Sequence, residues 1–216
     1  MIRDLFKRDV PAPDDGRAQA ASLRSVLNVG GGSKQIPIPD HYRGWRHVLL
    51  DVDPKESPDL VCDARELTRL PPAQFDAVYC SHNLEHYYRH HGQQVLRGFL
   101  HVMKPEGFAE IVVPDLKAVM RKVVNDGIEL EDVLYRSNGG PITVRDVIYG
   151  WGKQIESSGV DFYAHKNGFS PATLRQFVQD AGFGTVLVCE RPEMFEMRAL
   201  AFPGSPAPWQ RALAEA

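Results

Sequence analysis

His82, Glu85 and His86, in the run HNLEH, have the spacing H-x-x-E-H. In a zinc peptidase of the inverted type, two such histidines share a helical face and hold the metal while the glutamate activates water. That chemistry needs the motif inside a helix, a third ligand and an open coordination position. Here the preceding run FDAVYCS reads as a strand. It puts His82 at a strand end or in a turn, with only Glu85 and His86 in or near the helix that follows. Glu129 and Glu131 are acids that could be nominated as a third ligand, but nothing anchors the choice. The expectation is therefore a strand turn and no metal, with zinc hydrolysis through His82, Glu85 and His86 as a remote alternative.

A second group of residues has a different chemistry. NVGGGSK places Gly30, Gly31 and Gly32 directly after the apolar run SVLNV, where a chain must turn sharply and let a ligand approach its backbone. About twenty residues on, Asp53 ends a second apolar run, and a carboxylate there can accept both hydroxyls of a ribose; otherwise Asp53-Pro54 is a strand-ending turn. A dinucleotide site asks for a third glycine at position 35 and a long helix facing the pyrophosphate. Position 35 is Gln, and Pro37 and Pro39 forbid a regular helix through this short crossover. A ligand without phosphate is favoured, and S-adenosylmethionine has that description.

These groups must be held by elements the sequence also marks. Apolar runs of strand length recur at 25–30, 47–53, 59–64, 75–81, 108–114, 184–190 and 197–203, nearly continuous, as suits strands buried on both faces. Residues 88–103 carry Val95, Leu96, Phe99, Leu100, Val102 and Met103 at helical spacing. A helix from 115 starts on Asp115, turns Leu116, Val119, Met120 and Val123 inward, and stops at Gly127. A third runs from a Ser170 cap and Pro171 to Gly182. Strands alternating with helices imply an α/β fold, a mostly parallel sheet with helices on both faces, whose ligand lies beyond the carboxyl ends of the strands where the winding reverses.

Composition narrows the classes. The chain has 216 residues, 43% hydrophobic, with 25 Lys plus Arg against 28 Asp plus Glu, so it carries no basic field for a phosphate backbone and no nucleic acid is expected as partner. Three scattered cysteines offer neither a disulfide framework nor a C-x-x-C pair. No stretch has the ~7–15 apolar residues of a signal peptide near the start, or the ~18 of a membrane span. A cytoplasmic protein without membrane insertion is expected, with a flexible tail over 1–20 and a single domain over 21–216.

The ordered series VLNVGGGS, LLDVDP, VCDARELTRLP, FDAVYCSHNLEH and LRGFLHVMKPEGFAEIVVPD resembles the successive motifs of class I S-adenosylmethionine-dependent methyltransferases, in the small bacterial methyltransferase-11-like branch. HKNGFSPATLRQFVQDAGF resembles the helix before that family's last two strands. The resemblance implies a Rossmann-like sheet of seven strands, the last antiparallel, and a methyl transfer that turns S-adenosylmethionine into S-adenosylhomocysteine. It implies that Gly30, Gly31 and Gly32 face the methionine part of the cofactor. Asp53 would hold the ribose, Asp63 and Ala64 would lie by the adenine, and Ser81, His82 and Asn83 would line the wall toward the acceptor. Asn28 stands where the family has an acid, so weaker cofactor binding, or compensation from another acid such as Asp51, is expected; Lys34, His101 and Glu106 are further departures. Glu85 and His86 would brace the turn, and His90 and His91 would form a solvated helix face.

Residues 128–169 form an inserted stretch too aromatic for disorder, with Tyr149, Trp151, Phe162, Tyr163 and Phe169, and with Gly139, Gly140, Gly150, Gly152 and Gly159 as hinges. It reads as an acceptor lid, or alternatively as a flap serving the core or a homodimer contact. In-line displacement from an activated methyl needs mainly alignment. Where a hydroxyl of a small-molecule acceptor must lose its proton, His82, His165 and Tyr163 are the candidate bases. A non-catalytic, cofactor-binding module of the same fold is the competing reading.

Overall fold

The computed structural model describes residues 23–137 and 139–214; the tail expected over 1–20 lies outside them. Strands β1 (Ser25–Val29), β2 (Arg46–Asp51), β3 (Leu60–Val61), β4 (Phe75–Ser81), β5 (Met103–Pro114), β8 (Thr185–Arg191) and β9 (Glu196–Phe202) form one sheet, in the order β3-β2-β1-β4-β5-β9-β8. The first five are parallel, and β9 runs antiparallel to both β5 and β8. This is the seven-stranded, mostly parallel sheet with an antiparallel last strand that the motifs imply. A hairpin of β6 (Val133–Ser137) and β7 (Gly140–Thr143) stands apart from it.

Each strand is apolar on both sides because each side meets a different layer. Leu27 and Val29 of β1 join the larger core with Leu96 and Phe99 of α1 (Arg89–Val102) and Leu174 and Phe177 of α5 (Pro171–Asp180). Val26, one residue away, faces the other side, where Tyr42, Phe108 and Phe202 pack. A wholly buried aromatic such as Phe99 is worth about 3–5 kcal/mol when truncated to alanine.

The helix boundaries follow the caps. Asp115 accepts hydrogen bonds from Lys117 N and Ala118 N and opens α2 (Leu116–Asp126), which ends at Gly127 with φ 64°. Ser170 and Thr173 form a capping box for α5, with Pro171 in the first turn. Met120, expected to face inward, is 60% exposed, because α2 turns Val119 rather than Met120 to the core. β5 begins directly after α1 and continues through Lys104–Gly107, five residues earlier than the apolar run from Phe108. Gly107 permits this, since a Cβ there would meet Asp76 O at 2.9 Å.

The sheet hides one ionic knot. Glu110, 1% exposed in mid-β5, accepts from Arg198 Nε at 2.6 Å across the β5–β9 ladder and from Tyr42 OH at 2.8 Å, with His41 Nε2 at 2.9 Å. It ties β9 and the crossover before β2 to the sheet centre.

Within 128–169, the hairpin leads to α3 (Val144–Tyr149) and α4 (Gly152–Ser158). Val144 and Val147 pack with Val119 of α2 in a small separate core, joined by Tyr135, Ile142 and Phe195. A remaining short helix, α6 (Pro208–Ala212), closes the chain.

Candidate functional site

The winding reverses between β1 and β4, and the loops leaving these two strands touch. Gly30 and Gly32 adopt φ of 67° and 62°, a region closed to most residues with a Cβ. A Cβ on Gly30 would lie 2.1 Å from Asn83 Nδ2, and one on Gly31 would lie 2.2 Å from Asn28 Nδ2. The three glycines thus pass between two asparagine side chains. Asn28 is 2% exposed and lies beneath the loop; its Nδ2 is 3.2 Å from His47 Nε2 and its Oδ1 has no partner among the described residues. It supports the loop by packing.

Asp51 binds backbone N–H groups of the glycine loop and of Asp53. Its Oδ2 accepts from Gly32 N at 3.0 Å and its Oδ1 from Asp53 N at 2.9 Å, so it pins the glycine loop and ends β2 earlier than the run through 53 suggests. Asp53 Oδ1 caps a 3-10 turn by accepting from Lys55 N, and Oδ2 takes no hydrogen bond from the described residues. Gly30, Gly32, Asp51, Asp53, His82 and Asn83 line one cavity of about 480 Å³.

A second cavity, about 320 Å³, lies beside it and shares Val52, Asn83, His86 and Phe162 with it. The two are lobes of one cleft. Asp63 stands in the second lobe, its carboxylate held by Arg65 N at 2.9 Å and by the Arg65 guanidinium. Burial alone would raise its pKa, but the hydrogen bonds from Arg65 outweigh that and hold it below the usual carboxylate range. Ala64 is buried behind it and, like Gly31 and Ser81, lines neither lobe.

His82 closes β4. It keeps the ladder, donating its N–H to Val112 O at 2.9 Å, but with φ 48°, a strained value for a residue with a side chain. The next residues, Leu84–His86, form a single 3-10 turn. H-x-x-E-H therefore does not lie along one α-helical face, and the peptidase geometry does not form. His82 Nε2 instead meets Glu196 Oε2 at 3.1 Å, and Nδ1 stands 3.5 Å from Glu85 Oε1. Burial disfavours the imidazolium, yet the Glu196 and Glu85 carboxylates outweigh it and push the pKa up to about 10. The ring is 46% exposed, so solvent screens this pairing.

His82 also borders a third space, about 120 Å³, lined by Tyr135, Ile142, Trp151, His165 and Phe195. His165 donates Nδ1–H to Val147 O at 2.9 Å or accepts nothing there, since a carbonyl cannot donate. Its pKa is lowered, burial being the main cause. Tyr163 faces the first lobe. The three candidate bases are thus brought around one junction, with only His82 bordering both the cleft and the third space.

The segment 151–163 crosses the cleft as a strap. Its base is closed where Gly150 bridges Ala164 and His165 N donates to Tyr149 O at 3.0 Å; a Cβ on Gly150 would be 2.0 Å from Tyr163 O. Gln154, Ser158, Val160, Phe162 and Tyr163 line the first lobe, and Asp161, Phe162 and Lys166 the second.

Comparison with known proteins places this arrangement. Residues 27–111 match the family model described as a methyltransferase domain. A structure described as a SAM-dependent methyltransferase from Archaeoglobus fulgidus is similar over 83% of this chain and 86% of its own, at TM-score 0.51 and 17% identity. A Pyrococcus horikoshii protein reaches TM-score 0.55 at 15% identity, over 84% and 83%. The fold is that of a class I S-adenosylmethionine-dependent methyltransferase. An N1-methyltransferase of Burkholderia thailandensis, solved with 1,6-didemethyltoxoflavin and S-adenosylhomocysteine, also shares this methyltransferase fold, at TM-score 0.50 and 13% identity over 85% and 72%. No curated protein sequence matches.

Sequence reasoning missed Arg65 of the cleft and Glu196 beside His82. Arg65 had a signal, two residues beyond Asp63, since a guanidinium there can bind the carboxylate in a fork. Glu196 had none, being 114 residues from His82. No described helix is long and apolar enough to cross a membrane.

Proposed function

We propose that the chain binds S-adenosylmethionine along both lobes and directs its methyl group to a small-molecule acceptor by in-line displacement. The observation that carries this reading is the convergence on one cleft of the glycine loop after β1, Asp51 and Asp53 after β2, Asp63 after β3 and the His82–Asn83 turn after β4. The residues fit such a cofactor. Gly30 and Gly32 offer bare backbone to an amino-acid moiety, the free Oδ2 of Asp53 suits ribose hydroxyls, and the lobe between Asp63, Tyr87 and Phe162 suits a flat base. The glycine loop runs on to a 3-10 turn at Asp40–Tyr42, not a long helix, so a pyrophosphate would lack its usual helix N-terminus.

When bound, the cofactor supplies a methyl group already activated on a sulfonium. The protein's part is alignment and exclusion of water, which the strap and the His82 turn provide. Glu196 and Glu85 raise the His82 pKa, which favours for this ring a positioning role in the wall between cleft and acceptor space over that of a base. Tyr163 faces the cofactor lobe and His165 turns Nε2 toward Glu85. This arrangement favours an acceptor whose lone pair is already free, such as an unprotonated ring nitrogen or an ionised hydroxyl.

Calorimetric titration with S-adenosylmethionine, S-adenosylhomocysteine and NAD, on the native chain and on Asp53→Ala, tests the reading. Binding of the adenosyl ligands, weakened in Asp53→Ala, is expected; absence of both sinks it. The acceptor space of about 120 Å³ is smaller than most ligand sites and favours, as a second reading, a cofactor-binding module without turnover. Binding without methyl transfer across a broad acceptor screen would support that module.

A further inference from the structure

Glu85, His86 and His165 each point one ligand atom into a common space, with these atoms all within 4.8 Å of one another. The Glu85 carboxylate is 1% exposed, and neither of its oxygens has a hydrogen bond among the described residues. A carboxylate taken from water without such bonds is costly unless something charged sits against it; His82 Nδ1, 3.5 Å away, meets that need only in part, because Glu196 holds the same ring at 3.1 Å. The Glu85 carbonyl accepts from Lys166 N at 2.8 Å and Asn167 N at 3.0 Å, which anchors the backbone that carries the side chain.

The histidines are prepared in the manner of metal ligands. A ligating imidazole commonly donates its second N–H to a backbone carbonyl, which fixes the tautomer and aims the other nitrogen's lone pair. His165 Nδ1 is 2.9 Å from Val147 O, and its Nε2 faces Glu85 Oε1 at 4.0 Å. His86 has Nδ1 3.2 Å from Ala164 O and Nε2 3.1 Å from His82 O. A neutral ring donates from one nitrogen only, so one of these contacts sets a lone pair against a carbonyl oxygen, and a metal on that nitrogen would replace it.

We propose that Glu85, His86 and His165 form a binding site for a borderline divalent transition metal of the zinc and cobalt class. Two imidazoles and one carboxylate suit that class better than magnesium or calcium, which prefer oxygen. Two ligands on a tetrahedral ion with bonds near 2.0 Å stand about 3.3 Å apart, so the His165–Glu85 pair must close by about 0.7 Å. His82 does not block this, because its closer partner is Glu196 rather than Glu85. The site differs from the H-x-x-E-H reading in its third ligand, which comes from the strap's return rather than from His82. A metal there would clamp the turn after β4 to the base of the strap. The site does not rest on the methyl-transfer reading.

The test uses the full chain, stripped with chelator and then titrated with Zn²⁺ by calorimetry and with Co²⁺ by visible absorption, with elemental analysis of the zinc form. One equivalent of zinc is expected, with a cobalt d–d band. Glu85→Gln and His165→Ala should each weaken zinc binding at least about tenfold and abolish the band, and His90→Ala, on the exposed face of α1, should do neither. Should Glu85→Gln fail to fold, His165→Ala carries the test alone. No zinc uptake by the native chain, or a weakening below tenfold in His165→Ala, overturns the site.

Discussion

Three adjacent glycines give three separable predictions. Gly32 has φ 62°, but a Cβ there would meet only Ile36 Cδ1 at an ordinary 3.7 Å. Gly32→Ala therefore isolates the backbone term, about 1–2 kcal/mol for an L residue in the left-handed region. At about 2–4 °C per kcal/mol for a chain of this size, the melting temperature should fall by about 2–8 °C. Gly31 has no positive φ but would place its Cβ 2.2 Å from the buried Asn28 Nδ2. Gly31→Ala isolates overpacking, about 1–3 kcal/mol. Gly30 combines φ 67° with a contact of 2.1 Å to Asn83, and Gly30→Ala should cost the sum, about 2–5 kcal/mol. Thermal unfolding of the three variants gives the ranking, and titration with S-adenosylhomocysteine shows the effect on the cleft. The decisive measurement is a pair of double-mutant cycles. Asn28→Ala should rescue Gly31→Ala and Asn83→Ala should rescue part of Gly30→Ala, each with a coupling of about 0.5–3 kcal/mol, and neither should help Gly32→Ala. Equal losses in all three single variants, or no coupling, would refute the account of the loop as a strip threaded between two asparagines.

The other predictions concern groups away from the loop. The His82 ring should titrate by NMR with a midpoint near 10, and a midpoint near 6.5 would remove the double carboxylate grip. Its folded pKa lies above the unfolded one, so whatever stability it adds is complete below about 6.5 and fades as pH rises toward 10; exposure keeps that contribution small. Glu110→Ala strands Arg198, which is 4% exposed, and should cost about 3–5 kcal/mol; denaturant unfolding showing under 1 kcal/mol would contradict the buried knot. Hydrogen bonding to His41 and the charge of Arg198 hold the Glu110 pKa down against the burial penalty, so its stabilisation is present above the ordinary glutamate range and disappears as pH falls through its lowered value. Saturation with S-adenosylhomocysteine should slow limited proteolysis within 151–163, and unchanged cleavage there would separate the strap from the cleft.

Much of this fold was legible because it is written in local patterns. Asp115, Gly127, Ser170 and Pro171 mark helix ends by chemistry that acts within one turn, and the apolar runs give the buried strands directly. The hairpin β6–β7 was not legible, since its strands are largely exposed or half-buried and carry no alternation. The cleft could be anticipated because its residues follow successive strands, whose carboxyl ends the sheet must align. The histidine cluster could not. His82 meets Glu196 at a separation of 114 residues, and Glu85 meets His165 across the strap; such pairs leave no local trace. Asn28 shows the limit of single-residue reading. Its side chain lies under the loop, 2% exposed, while Asp51 accepts from the glycine N–H, an arrangement that no single position spells out.

The strap's base has an evolutionary consequence. Because Gly150 and Ala164 are bridged, the thirteen residues between them begin and end at the same point of the molecule. The ends stay joined whatever lies between, and doubling the length of such a loop costs only about 0.6 kcal/mol in closure entropy. A different strap could therefore be spliced in at 150 and 164 without disturbing the sheet, its ligand wall rewritten in a single recombination event. The strap is thus built as a detachable cassette, and chimaeras cut at those two residues are the natural way to exchange it.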